Sequence, residues 1–168
     1  MPHLLPDPTD RLTFRRMGPD DLDEMAALMG SPEVMEFYPR TKTRDEASEW
    51  IAWNERGYAE DGFGLWILND DSGRFVGECG LSWQWVDGVQ HLEVGYHVLP
   101  RFQGLGLATE AARSCRDLAR TQGMERLIAI IHRDNRASRR VAEKVGLVME
   151  QETVSAFGQP TLIYATSL

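Results

Sequence analysis

Cysteine is scarce in this sequence: its 168 residues include only Cys79 and Cys115, which form no CxxC motif. There is no Cys/His cluster at metal-ligand spacing, so the pattern predicts neither a metal site nor a disulfide framework. A chain of this length buries about 70% of its unfolded surface and needs no such staple. We therefore expect one domain over residues 1–168, with both cysteines reduced in its core.

Long apolar stretches and an excess of positive charge are also missing. No window reaches the ~18 apolar residues that cross a bilayer, and the N-terminus lacks a signal-peptide pattern. The formal net charge is −8, from 18 Lys+Arg and 26 Asp+Glu, which disfavours binding to nucleic-acid phosphates. The sequence predicts a cytoplasmic protein without a membrane or nucleic-acid partner, and it is compatible with a homodimer.

Hydrophobic periodicity and turn residues predict an α+β fold of about seven strands and four helices. Residues 1–10 carry no such pattern and are expected to be a flexible lead. In chain order the expected elements are a strand at 11–17, a helix after Asp20, a helix from the capping box Thr43-Arg-Asp-Glu46, strands at 63–69, 74–86 and 90–99, a helix from Gly104 to Gly123, a strand at 127–131, a helix at 136–145, and strands at 147–156 and 160–167.

The most informative segment is the glycine-rich turn that follows the strand ending at Pro100 and precedes a helix. Backbone N–H groups converge at the positive end of the helix dipole, and Gly104 and Gly106 let an anion come close to them. Arg101 adds a positive charge. The glycine register is wrong for a dinucleotide motif, and no Lys-Ser or Lys-Thr follows as in a P-loop.

The motif Arg101-Phe-Gln-Gly104-Leu-Gly106 resembles the Gln/Arg-x-x-Gly-x-Gly/Ala signature of the GNAT N-acetyltransferases. Glu93-Val-Gly-Tyr before it, Ala108-Thr-Glu-Ala111 after it and Asn135-Arg-Ala-Ser138 further on are similar to the branch that contains the ribosomal-protein N-α-acetyltransferases. The element order extends the resemblance over nearly the whole chain. It implies a GNAT-like single domain with a mixed, mostly antiparallel central sheet.

The resemblance implies acetyl-CoA as the co-substrate, with its pyrophosphate on the glycine-rich turn. Its pantetheine would pair with backbone groups of His97, Val98 and Leu99, and an N–H of Val98 or Leu99 would polarise the acetyl carbonyl. Arginines between residues 133 and 144 are candidates for the ribose phosphate. The other implied coenzyme-binding residues are Arg101, Gln103, Gly104, Leu105, Gly106, Leu107, Ala108, Thr109 and Asn135.

The resemblance also implies two catalytic residues. Glu93 matches a mid-strand glutamate that is the general base in some family members, and Ser138 matches a serine near the coenzyme sulfur. Ser138 is the predicted hydrogen-bond donor to the leaving thiolate, since Ala142 stands where many relatives have a tyrosine. Strand alternation places His97 on the face of Glu93, about 13 Å away, as a second candidate base.

The predicted reaction is direct attack of an amine on acetyl-CoA in a ternary complex. The resemblance of Asn135-x-x-Ser138, together with the missing tyrosine, to the ribosomal-protein branch implies a protein or peptide α-amine as acceptor. Such an amine, with a pKa near ~7.8, needs less help from a base at pH 7 than a lysine-like amine near ~10.4. A small-molecule amine such as a polyamine, an aminoglycoside or an amino-acid-like compound is the alternative. A non-catalytic acyl-CoA sensor and a phosphate-ligand module that does not select CoA also stay open.

Overall fold

The computed structural model describes residues 3–168 and has the predicted order of elements. Within those residues it contains one seven-stranded sheet and four α-helices, so the predicted fold class is confirmed. The strands and helices are β1 (Leu12–Arg16), α1 (Leu22–Met29), α2 (Arg44–Glu60), β2 (Leu65–Asp70), β3 (Phe75–Val86), β4 (Val89–Val98), α3 (Leu107–Thr121), β5 (Arg126–His132), α4 (Arg136–Val145), β6 (Val148–Val154) and β7 (Pro160–Ser167).

The strands lie in the order β1-β2-β3-β4-β5-β7-β6, and only β4 and β5 run parallel. Their backbone pairing is confined to Glu93 and Ile128. The sheet therefore opens into a gap between β4 and β5 beyond Glu93.

The β3–β4 hairpin sets which residues of these two strands stand opposite each other. Its turn residues, Asp87 and Gly88, have φ angles of 48° and 81°, as the two-residue type I′ turn requires. Counting outward from this turn pairs Ser82 with Glu93 and Glu78 with His97. All four side chains therefore point to one face of the sheet.

The helices cover opposite faces of the sheet in two pairs. Cys79 on β3 faces α3, where its sulfur lies 3.6 Å from that of Cys115, and both cysteines are buried free thiols as predicted. Glu78, the preceding residue on β3, faces α2 and accepts a hydrogen bond from Trp50. Between residues 3 and 168, no helix combines the length and apolar character needed to cross a membrane.

Residues 3–10, for which the sequence predicts a flexible lead, make several contacts with the domain. The Leu4 N–H donates to the Gly62 carbonyl at 3.3 Å, and the Ser114 hydroxyl on α3 donates to the Asp7 carbonyl at 2.7 Å. Residues 1 and 2 lie outside the described residues. The mobility of this segment in solution stays a prediction, as does the extent of the domain over residues 1–168.

Candidate active site

The turn before α3 is shaped as an anion-binding loop. Gly104 and Gly106 have φ angles of 75° and 81°, which side-chain-bearing residues rarely adopt, and no atom lies within 4 Å of the place where a Cβ of Gly104 would stand. Gly106 caps α3 without a side chain, so no side-chain acceptor covers the N–H groups of the first helical turn. Those N–H groups can bind a pyrophosphate.

Side chains around this turn point in different directions. Leu105 is exposed and Arg101 stacks its guanidinium over the Phe102 ring, 5.1 Å from the ring centre. Leu107 and Thr109 are buried against the sheet. The turn thus offers an anion mainly backbone N–H groups, together with the mobile charge of Arg101.

The free edge of β4 differs in detail from the expected one. The Leu99 N–H donates to the Val76 carbonyl at 2.9 Å, so it is bonded to β3 and is not open to the gap. Because such bonds alternate along an antiparallel pair, the His97 backbone also faces β3, whereas the backbone groups of Tyr96 and Val98 face the gap. The Val98 carbonyl already accepts a hydrogen bond from Gln103 Nε2 at 2.9 Å. The Val98 N–H is therefore the group of this residue that can bond to a ligand in the gap.

This geometry corrects two parts of the sequence expectation. The predicted pairing of the pantetheine with the His97 backbone is wrong, because that backbone faces β3. The prediction that the Leu99 N–H polarises the acetyl carbonyl is also wrong, because that N–H already donates to the Val76 carbonyl on β3. The Val98 N–H is the remaining candidate. Tyr96, which the sequence analysis did not single out, contributes the other pair of gap-facing backbone groups.

Glu93 lies where β4 and β5 part, and its carboxyl is half-buried. Burial raises the pKa of Glu93 to about 7, although the electrostatic influence of the nearby His97 side chain and hydrogen bonding by the Ile130 N–H and the Ser82 side chain act to lower that pKa. A carboxyl group with this pKa is partly ionised near neutral pH. It can therefore accept a proton from an ammonium group and later release it.

His97 is held by two hydrogen bonds. Its Nδ1 lies 2.9 Å from Glu78 Oε1, and its Nε2 lies 2.6 Å from the Tyr38 hydroxyl. Glu78 is fully buried and also accepts from Trp50 Nε1 at 2.9 Å. The imidazole is therefore fixed in one orientation between a buried carboxyl and a surface tyrosine.

The start of α4 lies next to β4. Asn135 Oδ1 accepts a hydrogen bond from the Ser138 N–H at 3.1 Å and so caps the helix. The Ser138 carbonyl accepts from the Tyr96 hydroxyl at 2.8 Å, so Ser138 stands beside β4. Ala142, which stands at the position of the tyrosine that the resemblance implies for many relatives, is buried. Tyr164 is also buried, and its hydroxyl bonds to Arg139 and Glu143 on α4.

Two surface concavities flank α3 and α4. One of about 250 Å³ is lined by Arg136, Arg139 and Arg140, three of the arginines that the sequence analysis offers for the ribose phosphate. The other, of about 340 Å³, lies between residues 5–9 and the outer side of α3. None of the predicted site residues lines the second concavity.

Sequence reasoning missed Glu78, Ser82 and Tyr38. A signal for the first two was present, because the Asp87-Gly88 turn fixes the hairpin register and so places Glu78 opposite His97 and Ser82 opposite Glu93. Tyr38 lies in the irregular segment between α1 and α2, where no periodic pattern indicates its direction.

Comparison with known proteins agrees with this geometry. A family model described as an acetyltransferase (GNAT) domain matches residues 11–148. The protein YkkB of Bacillus subtilis (strain 168) is 35% identical over 161 residues, which cover 93% of this chain and 92% of YkkB. The chain belongs to the GNAT acetyltransferase family. It is an acetyl-CoA-dependent N-acetyltransferase, and the glycine-rich turn and open β4 edge are suited to that donor.

Solved GNAT structures with different acceptors share the fold. The structure of yncA from Salmonella typhimurium with its cofactor acetyl-CoA has a TM-score of 0.72 at 22% identity, covering 93% of both chains. The structure of ribosomal-protein-S5-alanine acetyltransferase from Vibrio fischeri has a TM-score of 0.74 at 14% sequence identity, covering 97% of this chain and 96% of that chain. The structure of spermidine N-acetyltransferase from Vibrio cholerae in complex with CoA and spermine has a TM-score of 0.73 at 17% sequence identity, covering 93% of this chain and 95% of that chain. These likenesses show the fold, and membership in the ribosomal-protein branch stays a prediction.

Proposed function

We propose that this enzyme acetylates the N-terminal α-amine of a protein or peptide by direct attack in a ternary complex. The observation that carries the proposal is the burial of Glu93 where β4 and β5 part, which raises the pKa of its carboxyl to about 7. Proton transfer to this carboxylate from an α-ammonium with a pKa near ~7.8 is nearly balanced, whereas transfer from a lysine-like ammonium near ~10.4 is uphill by about three pKa units. The base therefore matches an α-amine better.

The described residues fit acetyl-CoA along one continuous surface. The uncapped first turn of α3 would bind the pyrophosphate, and the gap-facing backbone groups of Tyr96 and Val98 would pair with the pantetheine amides. Asn135 would contact the pantetheine from the start of α4, and the cluster of Arg136, Arg139 and Arg140 would meet the ribose phosphate. Bound acetyl-CoA supplies an acetyl group activated as a thioester.

The chain's own groups would divide the chemistry between them. Glu93 takes a proton from the incoming ammonium, directly or through one water, and so produces the neutral amine that attacks. The Val98 N–H donates to the acetyl carbonyl oxygen as charge develops there. Ser138 donates a hydrogen bond to the departing thiolate. Because residue 142 is alanine, no tyrosine hydroxyl stands at that position to take this role.

Replacing Ser138 with alanine tests the proposed thiolate donor. We expect kcat to fall about tenfold, because a hydrogen bond to a charged group contributes about 1.5 kcal/mol, while the Kd of acetyl-CoA stays within twofold. Thiol release and isothermal titration calorimetry measure the two quantities. Ser114→Ala is the matched control, since Ser114 lies on α3 and, among residues 3–168, its hydroxyl bonds only to the Asp7 carbonyl. An unchanged kcat in Ser138→Ala would remove Ser138 from the mechanism.

The acceptor class is tested by mass spectrometry of acetylation mixtures. Peptide pools with free N-termini are offered together with the same peptides whose α-amine is blocked, so that only lysine side chains can react. We expect acetylation of the free pool at the α-amine and none of the blocked pool. Thiol release with small amines but not with free peptides would overturn the α-amine proposal.

A small-molecule amine is the second candidate acceptor. Residues 1–61 hold 14 acidic and 7 basic side chains, and the structure of a spermidine N-acetyltransferase with spermine has the same fold. An acidic wall built from this part of the chain would attract a polycation such as spermidine. Polyamines, aminoglycosides and amino acids therefore belong in the same acetylation screen.

A further inference from the structure

Three polar side chains beside Glu93 form a hydrogen-bonded chain that the mechanism above leaves unused. The chain runs from Glu78 on β3 through His97 on β4 to Tyr38 in the segment between α1 and α2, with distances of 2.9 and 2.6 Å. It links the fully buried Glu78 carboxyl to a tyrosine that is 42% exposed. Such a path can carry a proton between the protein surface and a buried charge.

The donors and acceptors along this chain follow from chemistry. The Trp50 indole N–H can only donate, so Glu78 Oε2 accepts from it. An ionised carboxylate can only accept hydrogen bonds, so with Glu78 ionised His97 Nδ1 is the donor to Glu78 Oε1. His97 Nε2 is then a lone-pair acceptor, and the Tyr38 hydroxyl donates to it.

Tyr38 lies within electrostatic range of Glu93. The pKa of the Tyr38 phenol is raised, first by burial of the hydroxyl and then by the negative charges of Glu93 and Glu78. Glu93 and His97 share one face of β4, with only Gly95 between them on that face. The Leu65 Cδ2 methyl lies 3.6 Å from where a Cβ of Gly95 would stand, so an apolar floor separates the two polar groups.

A primary ammonium must lose two protons to become an amide, and Glu93 accounts for only the first. We propose that Tyr38 and His97 remove the second: the Tyr38 oxygen takes a proton from the acylating nitrogen while the phenol proton passes to His97 Nε2. The C–N bond forms and the C–S bond breaks, and the positive charge ends on the imidazolium beside the Glu78 carboxylate. Return of that proton through Tyr38 to solvent resets the chain.

Glu78 acts through His97 and is a positioning residue, whereas Tyr38 is the group that would touch the amine. This inference rests on the proposed acetylation in a ternary complex. It adds to that proposal the residues that receive the second proton. It also predicts a spectroscopic property of the free enzyme that exists whether or not an acceptor is known.

Nuclear magnetic resonance of the free enzyme tests the direction of the chain. Long-range ¹H–¹⁵N spectra at pH 8 are expected to show His97 with its proton on Nδ1 and a lone pair on Nε2, with His97→Asn assigning the signals. In Tyr38→Phe the Nε2 resonance should move downfield, because the hydrogen bond to that lone pair is gone. A neutral His97 with its proton on Nε2 would overturn the proposal.

Kinetics of Tyr38→Phe test the proton transfer itself. We expect kcat to fall about 100-fold, with the Kd of acetyl-CoA within twofold of the wild type. Thiol release from acetyl-CoA is followed with each amine of the screen and also with water alone as the nucleophile. In mixtures of H₂O and D₂O, kcat should curve with deuterium fraction in the wild type, where two protons move together, and become linear in the variant.

Tyr58→Phe is the matched control because it removes the same hydroxyl from a buried tyrosine on α2. The Tyr58 hydroxyl donates to the Leu65 carbonyl, so its loss lowers the melting temperature while kcat should stay within twofold. An unchanged kcat in Tyr38→Phe, in an enzyme that turns over, would contradict the relay alone. A wild type that neither binds CoA nor releases thiol would instead contradict the proposed function.

Discussion

Replacing Gly104 with glutamate is expected to abolish coenzyme binding and acetyl transfer together. The new carboxylate would stand beside the pyrophosphate that the turn before α3 is proposed to bind, and like charges in contact cost several kcal/mol. The φ angle of 75° adds strain for any residue with a Cβ. We expect the Kd of CoA to rise at least about 100-fold, measured by isothermal titration calorimetry, and thiol release to fall to background.

Two further variants separate charge from strain and from general damage. Gly123→Glu makes the same change at a glycine with a φ angle of 76° and no atom within 4 Å of its Cβ position, but at the other end of α3, so it should bind CoA normally. Gly104→Asn adds a neutral side chain that tolerates positive φ, and should weaken binding by less than about tenfold. Equal losses in Gly104→Glu and Gly123→Glu would show that the turn does not hold the phosphates.

Glu93→Gln is expected to lower kcat by about 10²- to 10⁴-fold, the usual contribution of a general base. In the wild type the rate should rise with pH through about 7, because the pKa of Glu93 is raised to about 7 and only the carboxylate accepts a proton. The variant should lose this limb of the pH profile of kcat/KM. An identical profile in the two proteins would assign the base to another group.

The raised pKa of Glu93 also predicts that Glu93→Gln, although less active, is more stable than the wild type at alkaline pH. The folded pKa of Glu93 lies above its ordinary value of 4.5, so the folded state holds this proton more tightly than the unfolded chain does. The stability that the neutral form contributes is complete below pH 4.5 and is lost as the pH rises to about 7. Glu93→Gln should therefore melt at a higher temperature than the wild type at pH 8, by differential scanning fluorimetry, with less gain at pH 5. A lower melting temperature at pH 8 would contradict the burial of this charge.

The linear sequence determined the elements of this fold because each is specified by its own residues. The capping box Thr43-Arg-Asp-Glu46 starts α2 through reciprocal hydrogen bonds between residues three apart, and Asn135 caps α4 in the same local way. The glycines at 104 and 106 likewise predict a turn with positive φ angles before α3, as the structure has it. Such signals need no knowledge of distant parts of the chain.

Sequence resemblance extended this reasoning to the family and to Glu93, Ser138 and the glycine-rich turn. It did not show which backbone groups of β4 are free, and Leu99 illustrates the reason. Whether an N–H points to β3 or to the gap depends on hydrogen-bond alternation across the strand pair, and Leu99 falls on the bonded side. A shift of one residue in register would have reversed the result.

Only the tertiary structure decided the surroundings of the candidate site. It brought Tyr38 to His97, 59 residues further along the chain, and buried Glu78 beneath them. It also raised the pKa of Glu93 through burial, which no neighbouring residue in the sequence indicates. Local sequence fixes backbone conformation within a few residues, whereas the meeting of distant polar groups depends on how the sheet and the α1–α2 segment pack together.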